Sequence, residues 1–286
     1  MQRIVLVTGG GGPGMGSAIS RRFACAGDFV IVTDLDAGRA ESVAKHLAEE
    51  GHSAQAYGLD ITDPIACDEV VTDVLAEHGR VDVLCLHACG GGAGASALTV
   101  TDEQMTQAFA GNLAGNTALL RSALTNMVTR KSGVVMVTLS EAGLRGGAGP
   151  FSYSAMKHAL VGVVRHVAWT FAREGIRCNG IAPGITLSPT SGMGQMGGPI
   201  AEMLLSMVGV GGTSPSVVFP KLSEAMRESD RIDDLLAHEA QYQIQGVAPR
   251  AGLPEEIAEV YYFAASPAAS FLNGVIIPVD AGWSAG

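Results

Sequence analysis

Arg3-Ile-Val-Leu-Val-Thr8 runs straight into Gly9-Gly-Gly-Gly12-Pro13-Gly14-Met15-Gly16, and a helical pattern begins directly behind it. The first six residues are mostly apolar and β-branched, the composition of a buried parallel strand. Beyond the glycines, Ile19, Phe23 and Ala26 are predicted on one helix face. Strand, glycine loop and helix form the setting in which such a loop carries meaning. Glycines let the backbone approach a pyrophosphate, and the helix N-terminus stabilises its charge. Outside that setting a glycine run reads as a flexible turn. Gly10, Gly14, Met15 and Gly16 are the candidate contacts. Pro13 removes one N–H from the turn, which leaves open which amides face the phosphates.

Working outward, strand and helix patterns alternate nearly to the end of the chain. Phe29–Thr33 reads as a second strand closed by Asp34, eighteen residues after Gly16. A carboxylate there can accept from the adenosine ribose hydroxyls and repels a 2′-phosphate. Leu35 follows it, and the glycine loop holds no Lys or Arg, so NAD is favoured over NADP. Arg39 is the best argument for NADP, and a solvated turn residue is the plain alternative for Asp34. The pattern then predicts a helix over 37–50 with Val43, Ala44 and Leu47 inward, a strand over 53–59, a helix over 64–78 and a strand over 81–86. Next come a helix over 101–130 with a break at Gly111, a strand over 133–139, a helix through 172 and a strand over 176–181. A helix begins near Pro254-Glu255-Glu256, with Pro and two acids in its first turn, and a last strand covers 273–279. The expected fold is α/β: one Rossmann-type, doubly wound domain over 1–286, with seven parallel strands and helices on both faces.

Chemistry concentrates at residues 140–157, Ser-Glu-Ala-Gly-Leu-Arg-Gly-Gly-Ala-Gly-Pro-Phe-Ser-Tyr-Ser-Ala-Met-Lys. Ser140 ends the fifth strand. Tyr153 and Lys157, four apart, share one face of a helix and reach one ligand. An ammonium beside a phenol favours its anion and lowers its pKa towards working pH. A hydroxyl, a tuned phenol and a lysine can exchange a proton with an oxygen while a hydride moves at its carbon. Tyr-x-x-x-Lys alone is common on ordinary helices. With Ser140 thirteen residues before Tyr153 and a glycine loop opening the chain, it resembles the short-chain dehydrogenase/reductase family, from about residue 3 to 284 and least over 188–246.

The resemblance implies more. Asn112, in Ala-Gly-Asn-Leu-Ala-Gly, would join Ser140, Tyr153 and Lys157 as the fourth catalytic position. Its side chain would hold open a backbone carbonyl for a water next to Lys157. A plain helix kink is the alternative. Lys157 would also bond the nicotinamide ribose. Asp60-Ile61 would lie against the adenine, although Asp60-Ile-Thr-Asp-Pro64 is also a good helix-start sequence. The family's Asn-Asn-Ala-Gly becomes Leu86-His87-Ala88-Cys89, in which only Ala88 matches; the segment would still pass beneath the cofactor. His87 and Cys89 lack a third metal ligand within easy reach, so no metal site is expected and His87 reads as a packing or hydrogen-bonding residue. Asn179 and Pro183-Gly184 match the turn over the nicotinamide, and Ser188 takes the place of a threonine that contacts the carboxamide. The loop departs from the family's Thr-Gly-x-x-x-Gly-x-Gly by one extra residue. Family members form dimers and tetramers through the helices after strands four and five, and small residues at 108–123 and 155–168 would permit close packing.

Residues 188–248 are longer than the family's usual segment and rich in Gly, Met and Pro. A long segment over a site reads as a lid with adaptable apolar contacts, or as an extra helical pair at a subunit contact. The chain has 286 residues, 47% of them hydrophobic, enough for one sizeable core. Its net charge of −10 disfavours nucleic acid and anionic membrane as partners. Five scattered cysteines without C-x-x-C read as buried thiols in a reducing, cytoplasmic setting. No apolar run reaches the roughly 18 residues of a membrane span. The expectation is an NAD-dependent oxidoreductase interconverting a small to medium secondary alcohol and ketone, apolar or cyclic. An NADP-dependent reductase of an acyl thioester or enone, and a non-catalytic nucleotide-binding member, stay open.

Overall fold

The central strands of the sheet are laid down by apolar runs and buried on both faces, as parallel strands require, while the edge strands Ala54–Gly58 and Ile276–Val279 are only partly buried. The computed structural model describes residues 2–90, 92, 96–146, 149–186 and 252–285. The strands are β1 (Ile4–Val7), β2 (Phe29–Asp34), β3 (Ala54–Gly58), β4 (Val83–Leu86), β5 (Gly133–Thr138), β6 (Ile176–Pro183) and β7 (Ile276–Val279). They form one parallel sheet in the order β3-β2-β1-β4-β5-β6-β7. The helices are α1 (Met15–Cys25), α2 (Ala37–Glu49), α3 (Pro64–His78), α4 (Asp102–Phe109), α5 (Gly115–Arg130), α6 (Phe151–Phe171) and α7 (Pro254–Ala265). The chain is a Rossmann-type doubly wound α/β fold, as its alternating pattern predicts.

Strand alternation divides the core in two. Leu6, Leu84, Val135 and Val137 point to α3, α5 and α6, where Val71, Leu119, Ala123, Leu160 and Val164 meet them. Val5, Val7, Val30 and Met136 point the other way, onto Ile19 and Phe23 of α1, Leu47 of α2 and Ile257 and Tyr261 of α7. Helix starts follow local chemistry. Asp36 accepts from Gly38 N and Arg39 N, Asp63 accepts from Ile65 N and Ala66 N ahead of Pro64, and Thr101 with Gln104 closes a capping box.

Three expectations need correction. Ala26 is exposed and lies beyond α1; Ala24 closes the buried face instead. The sequence break at Gly111 is a π turn, Ala110–Ala114, with α-helix on both sides. Of the five cysteines only Cys67, Cys85 and Cys178 are buried; Cys25 and Cys89 are exposed. The predicted lid and Ser188 lie outside the described residues.

Candidate active site

The sheet order reverses between β1 and β4, and the loops that leave their carboxyl ends diverge to either side of a crevice. That is where open α/β sheets bind their ligands. The glycine loop fills one side. Gly10 N donates to Thr33 O at 2.8 Å, Gly12 N to Gly9 O at 3.2 Å and Ser17 N to Gly12 O at 3.1 Å. The Gly10 amide is therefore spent on β2, and Gly10 serves the loop by its lack of a side chain. Gly16 permits the closest approach: a Cβ there would stand 2.0 Å from Gly9 O.

Asp34 ends β2 beside that loop and is 5% exposed. Its Oδ1 accepts from Asp36 N at 3.0 Å and from Arg39 Nε and Nη2 at 3.1 and 2.6 Å. Oδ2 faces the loop, 3.6 Å from where a Gly12 Cβ would sit. Arg39 is thus held by the carboxylate. The glycine cradle and the open Oδ2 fit an adenosine ribose and pyrophosphate. Asp60 is exposed and accepts from Thr62 N and Oγ1, so it shapes the turn into α3, while Ile61 beside it is buried.

On the other side of the crevice, Thr8 Oγ1 accepts from His87 N and Ala88 N at 2.9 and 3.0 Å and fixes the segment after β4. His87 Nδ1 pairs with Thr138 Oγ1 at 3.0 Å, and Thr138 Oγ1 also bonds the Tyr261 hydroxyl. Burial first, and the Lys157 charge second, push the His87 pKa down to about 4, so the ring is neutral at ordinary pH. This is the hydrogen-bonding role expected for it. Among the described residues no group of three or more His, Cys, Asp and Glu side chains could hold a metal.

Tyr153 and Lys157 stand one turn apart near the start of α6. Lys157 is 1% exposed, its Nζ 5.4 Å from the Tyr153 ring centroid and donating to Thr138 O at 2.9 Å. Ser140 Oγ accepts from Ala142 N at 3.2 Å, which leaves its proton to donate elsewhere. The fourth predicted residue, Asn112, sits in the π turn, with Nδ2 donating to Gly90 O and to Ala108 O. The Asn112 backbone carbonyl accepts from Asn116 Nδ2 at 2.7 Å. Pro183 ends β6 and Gly184 follows, its N donating to Val279 O.

Sequence reasoning passed over Thr138 and left Glu141 unplaced. Thr138 is a polar residue at the end of an apolar run, two before Ser140, and that interruption was the available signal. Glu141 is 4% exposed, and burial raises its pKa to about 8. Trp283 packs with Ala142 and Tyr153, and the Arg145 guanidinium lies 3.5 Å from its ring centroid.

A sheet with this order, a glycine cradle at its switch point and a Ser, Tyr, Lys set at the mouth define a dinucleotide-dependent oxidoreductase class. The family model described as short chain dehydrogenase matches residues 3–195. The chain belongs to the short-chain dehydrogenase/reductase family, whose members are NAD(P)-dependent and act on hydroxyl and keto groups. It is 31% identical to the short-chain dehydrogenase/reductase cdmF of Talaromyces verruculosus, over 99% of this chain and 98% of that one. Among solved structures it resembles one described as an NAD(P)-dependent gluconate 5-dehydrogenase from Beutenbergia cavernae, with NADP bound, at 30% identity and a TM-score of 0.78 over 99% of this chain and 97% of that one. It also resembles a 7α-hydroxysteroid dehydrogenase complexed with NADH and 7-oxo glycochenodeoxycholic acid, at 25% identity and a TM-score of 0.76 over 98% and 93%.

Proposed function

We propose that this chain is an NAD-dependent oxidoreductase that interconverts a secondary alcohol and a ketone on a small to medium, apolar or cyclic substrate. The observation that carries the reading is the buried Lys157 ammonium set one helical turn from Tyr153. NAD supplies the hydride acceptor when bound. Tyr153 exchanges a proton with the substrate oxygen, Ser140 holds that oxygen, and Lys157 stands beside the Tyr153 ring to orient the group and bond the nicotinamide ribose. Asn112 keeps the π turn against Gly90 and supports proton movement behind Lys157. Gly10, Gly14, Met15 and Gly16 shape the pyrophosphate cradle, Asp34 takes the ribose, and Ile61, Ala88, Pro183 and Gly184 flank the cofactor. Asp34 supports NAD because its own ion pair already occupies Arg39. The steroid substrate of the 7α-hydroxysteroid dehydrogenase supports a cyclic frame. The chain is taken as one domain working as a homo-oligomer, a dimer or tetramer, through the faces of α5 and α6.

Replacing Tyr153 by Phe is the test. On a panel of ketones and alcohols, kcat falls by about 10²- to 10⁴-fold, the usual worth of a positioned acid–base group, while NAD still binds. Turnover equal to the unmodified enzyme's would remove Tyr153 from this role.

A further inference from the structure

One titratable side chain near the crevice is not used by the mechanism above. Glu141 directly follows Ser140 and opens the 3-10 turn Glu141–Gly143. Its side chain is almost wholly buried, yet Oε2 has no hydrogen-bond partner among the described residues. A buried carboxyl oxygen without a partner is costly, and native structures keep one where a functional role, a bound molecule or an ion accounts for it. The surroundings fix its direction. A Cβ on Gly184 would stand 2.8 Å from Asp280 Cβ and 3.5 Å from Oε2, so the bare glycine lets the turn after β6, Asp280 and the Glu141 carboxyl approach one another. Gly184 follows the last residue of β6, in the Pro-Gly turn already placed against the cofactor. On the other side, the next residue, Ala142, packs with Tyr153 and Trp283. Oε2 therefore lies buried beside the Pro-Gly turn after β6, on the residue that follows Ser140.

Two charged groups face Glu141. Arg145, whose guanidinium stacks on Trp283, attracts its anion, and Asp280 repels it. Asp280 is itself committed: Oδ1 accepts from Gly282 N and Oδ2 from Ser284 N.

We infer that Glu141 is a substrate-recognition residue, whose carboxyl holds a hydroxyl or carbonyl oxygen on the carbon next to the reacting one. The preferred substrate then carries two adjacent oxygens, as an α-hydroxyketone or a vicinal diol, on an otherwise apolar frame. Burial keeps the carboxyl protonated near neutral pH, so it can both donate and accept, which matches a hydroxyl. A site built to bond a polar group rejects the analogue that lacks it more strongly than an apolar pocket rejects an extra methylene. The inference rests on the alcohol–ketone reading above.

The test compares paired substrates that differ by one oxygen: cyclohexanol with its vicinal diol, cyclohexanone with its α-hydroxy derivative, and butanone with acetoin. The ratio of kcat/KM within each pair is measured for the unmodified enzyme, Glu141→Ala and Glu141→Gln. The cofactor Kd is measured alongside by fluorescence titration, and folding by thermal melts. The unmodified enzyme is expected to prefer the doubly oxygenated member. Glu141→Ala should reduce that preference about 10- to 100-fold, the scale of one buried hydrogen bond. Glu141→Gln keeps a donor and an acceptor and restores most of it, which a general packing defect would not allow. An unmodified enzyme without preference, or a preference untouched by Glu141→Ala, overturns the inference. Weaker cofactor binding with an unchanged ratio would assign Oε2 to the nicotinamide carboxamide and also overturn it. An enzyme that binds the cofactor and oxidises or reduces no member of any pair counts against the alcohol–ketone reading itself, and this inference falls with it.

Discussion

At the residue scale, Glu141 ties the site to pH. Its pKa in the fold is about 8 against an ordinary 4.5, so the folded chain binds a proton that the unfolded chain gives up. The stability this contributes is complete below the ordinary value and is lost as pH rises through about 8. Thermal melts across that window should show the unmodified enzyme losing stability with rising pH while Glu141→Gln loses less; parallel curves would mean that the carboxyl is ionised throughout. Asp34 makes a second residue-scale prediction. Its carboxylate both excludes a 2′-phosphate and restrains Arg39 through two hydrogen bonds. Asp34→Ser removes the repulsion and frees the guanidinium. The NADPH-to-NADH ratio of kcat/KM should rise about tenfold or more, since a charge-assisted bond contributes roughly 1.5–3 kcal/mol. A ratio that stays put would take the cofactor preference away from this position.

At the scale of elements, the turn from β1 into α1 depends on close backbone approach. A methyl on Gly16 meets the Gly9 carbonyl, so Gly16→Ala has to push strand and helix apart. Overpacking of this kind costs about 1–3 kcal/mol, and the shift also deforms the phosphate cradle. Both the melting temperature and the affinity for NAD should fall together in calorimetry. Unchanged affinity with lowered stability would separate the turn's packing from its binding. The π turn at Ala110–Ala114 follows the same logic. Gly111 lets the segment after β4 come close, a Cβ there standing 2.7 Å from Gly90 O; Asn112 Nδ2 bonds Gly90 O and the helix carbonyl of Ala108, and Asn116 Nδ2 bonds Asn112 O. The sequence offered a glycine and an asparagine, from which a break was the natural expectation. Only contact with the Gly90 segment turns that break into a wider helical turn.

At the scale of the whole molecule, the parallel sheet sets the cofactor crevice where its strand order reverses. No described helix is long and apolar enough to cross a membrane. Trp169 on α6 is 89% exposed in the isolated chain, a large apolar surface for a helix that the proposed assembly uses. Trp169→Glu should lower the mass measured by sedimentation equilibrium while leaving the far-ultraviolet spectrum of the fold intact. An unchanged mass would move the subunit contact elsewhere.

The fold was legible because its cues are local. β-branched runs, helix caps and the glycine loop act through neighbours within a few residues, and their periods of 2 and 3.6 report burial directly. Helix 64–78 is read to the residue, with Asp63-Pro64 as its entry, and in the structure Gly79 ends it in the left-handed conformation. Ser140, Tyr153 and Lys157 were legible as a candidate set through a family resemblance, whose thirteen- and four-residue spacings fall within one strand-to-helix unit. What local pattern cannot carry is which groups meet across the sheet. Thr138 joins Lys157 on its own unit to His87 and Tyr261 from elements 51 and 123 residues away, and Arg39 is claimed by Asp34 rather than left for a phosphate. Glu141 follows Ser140 closely but cannot be placed from sequence until the turns after β6 and β7 close over it. Burial, and with it the proton that this carboxyl keeps, is set by distant parts of the chain packing together, so only the tertiary structure could decide it.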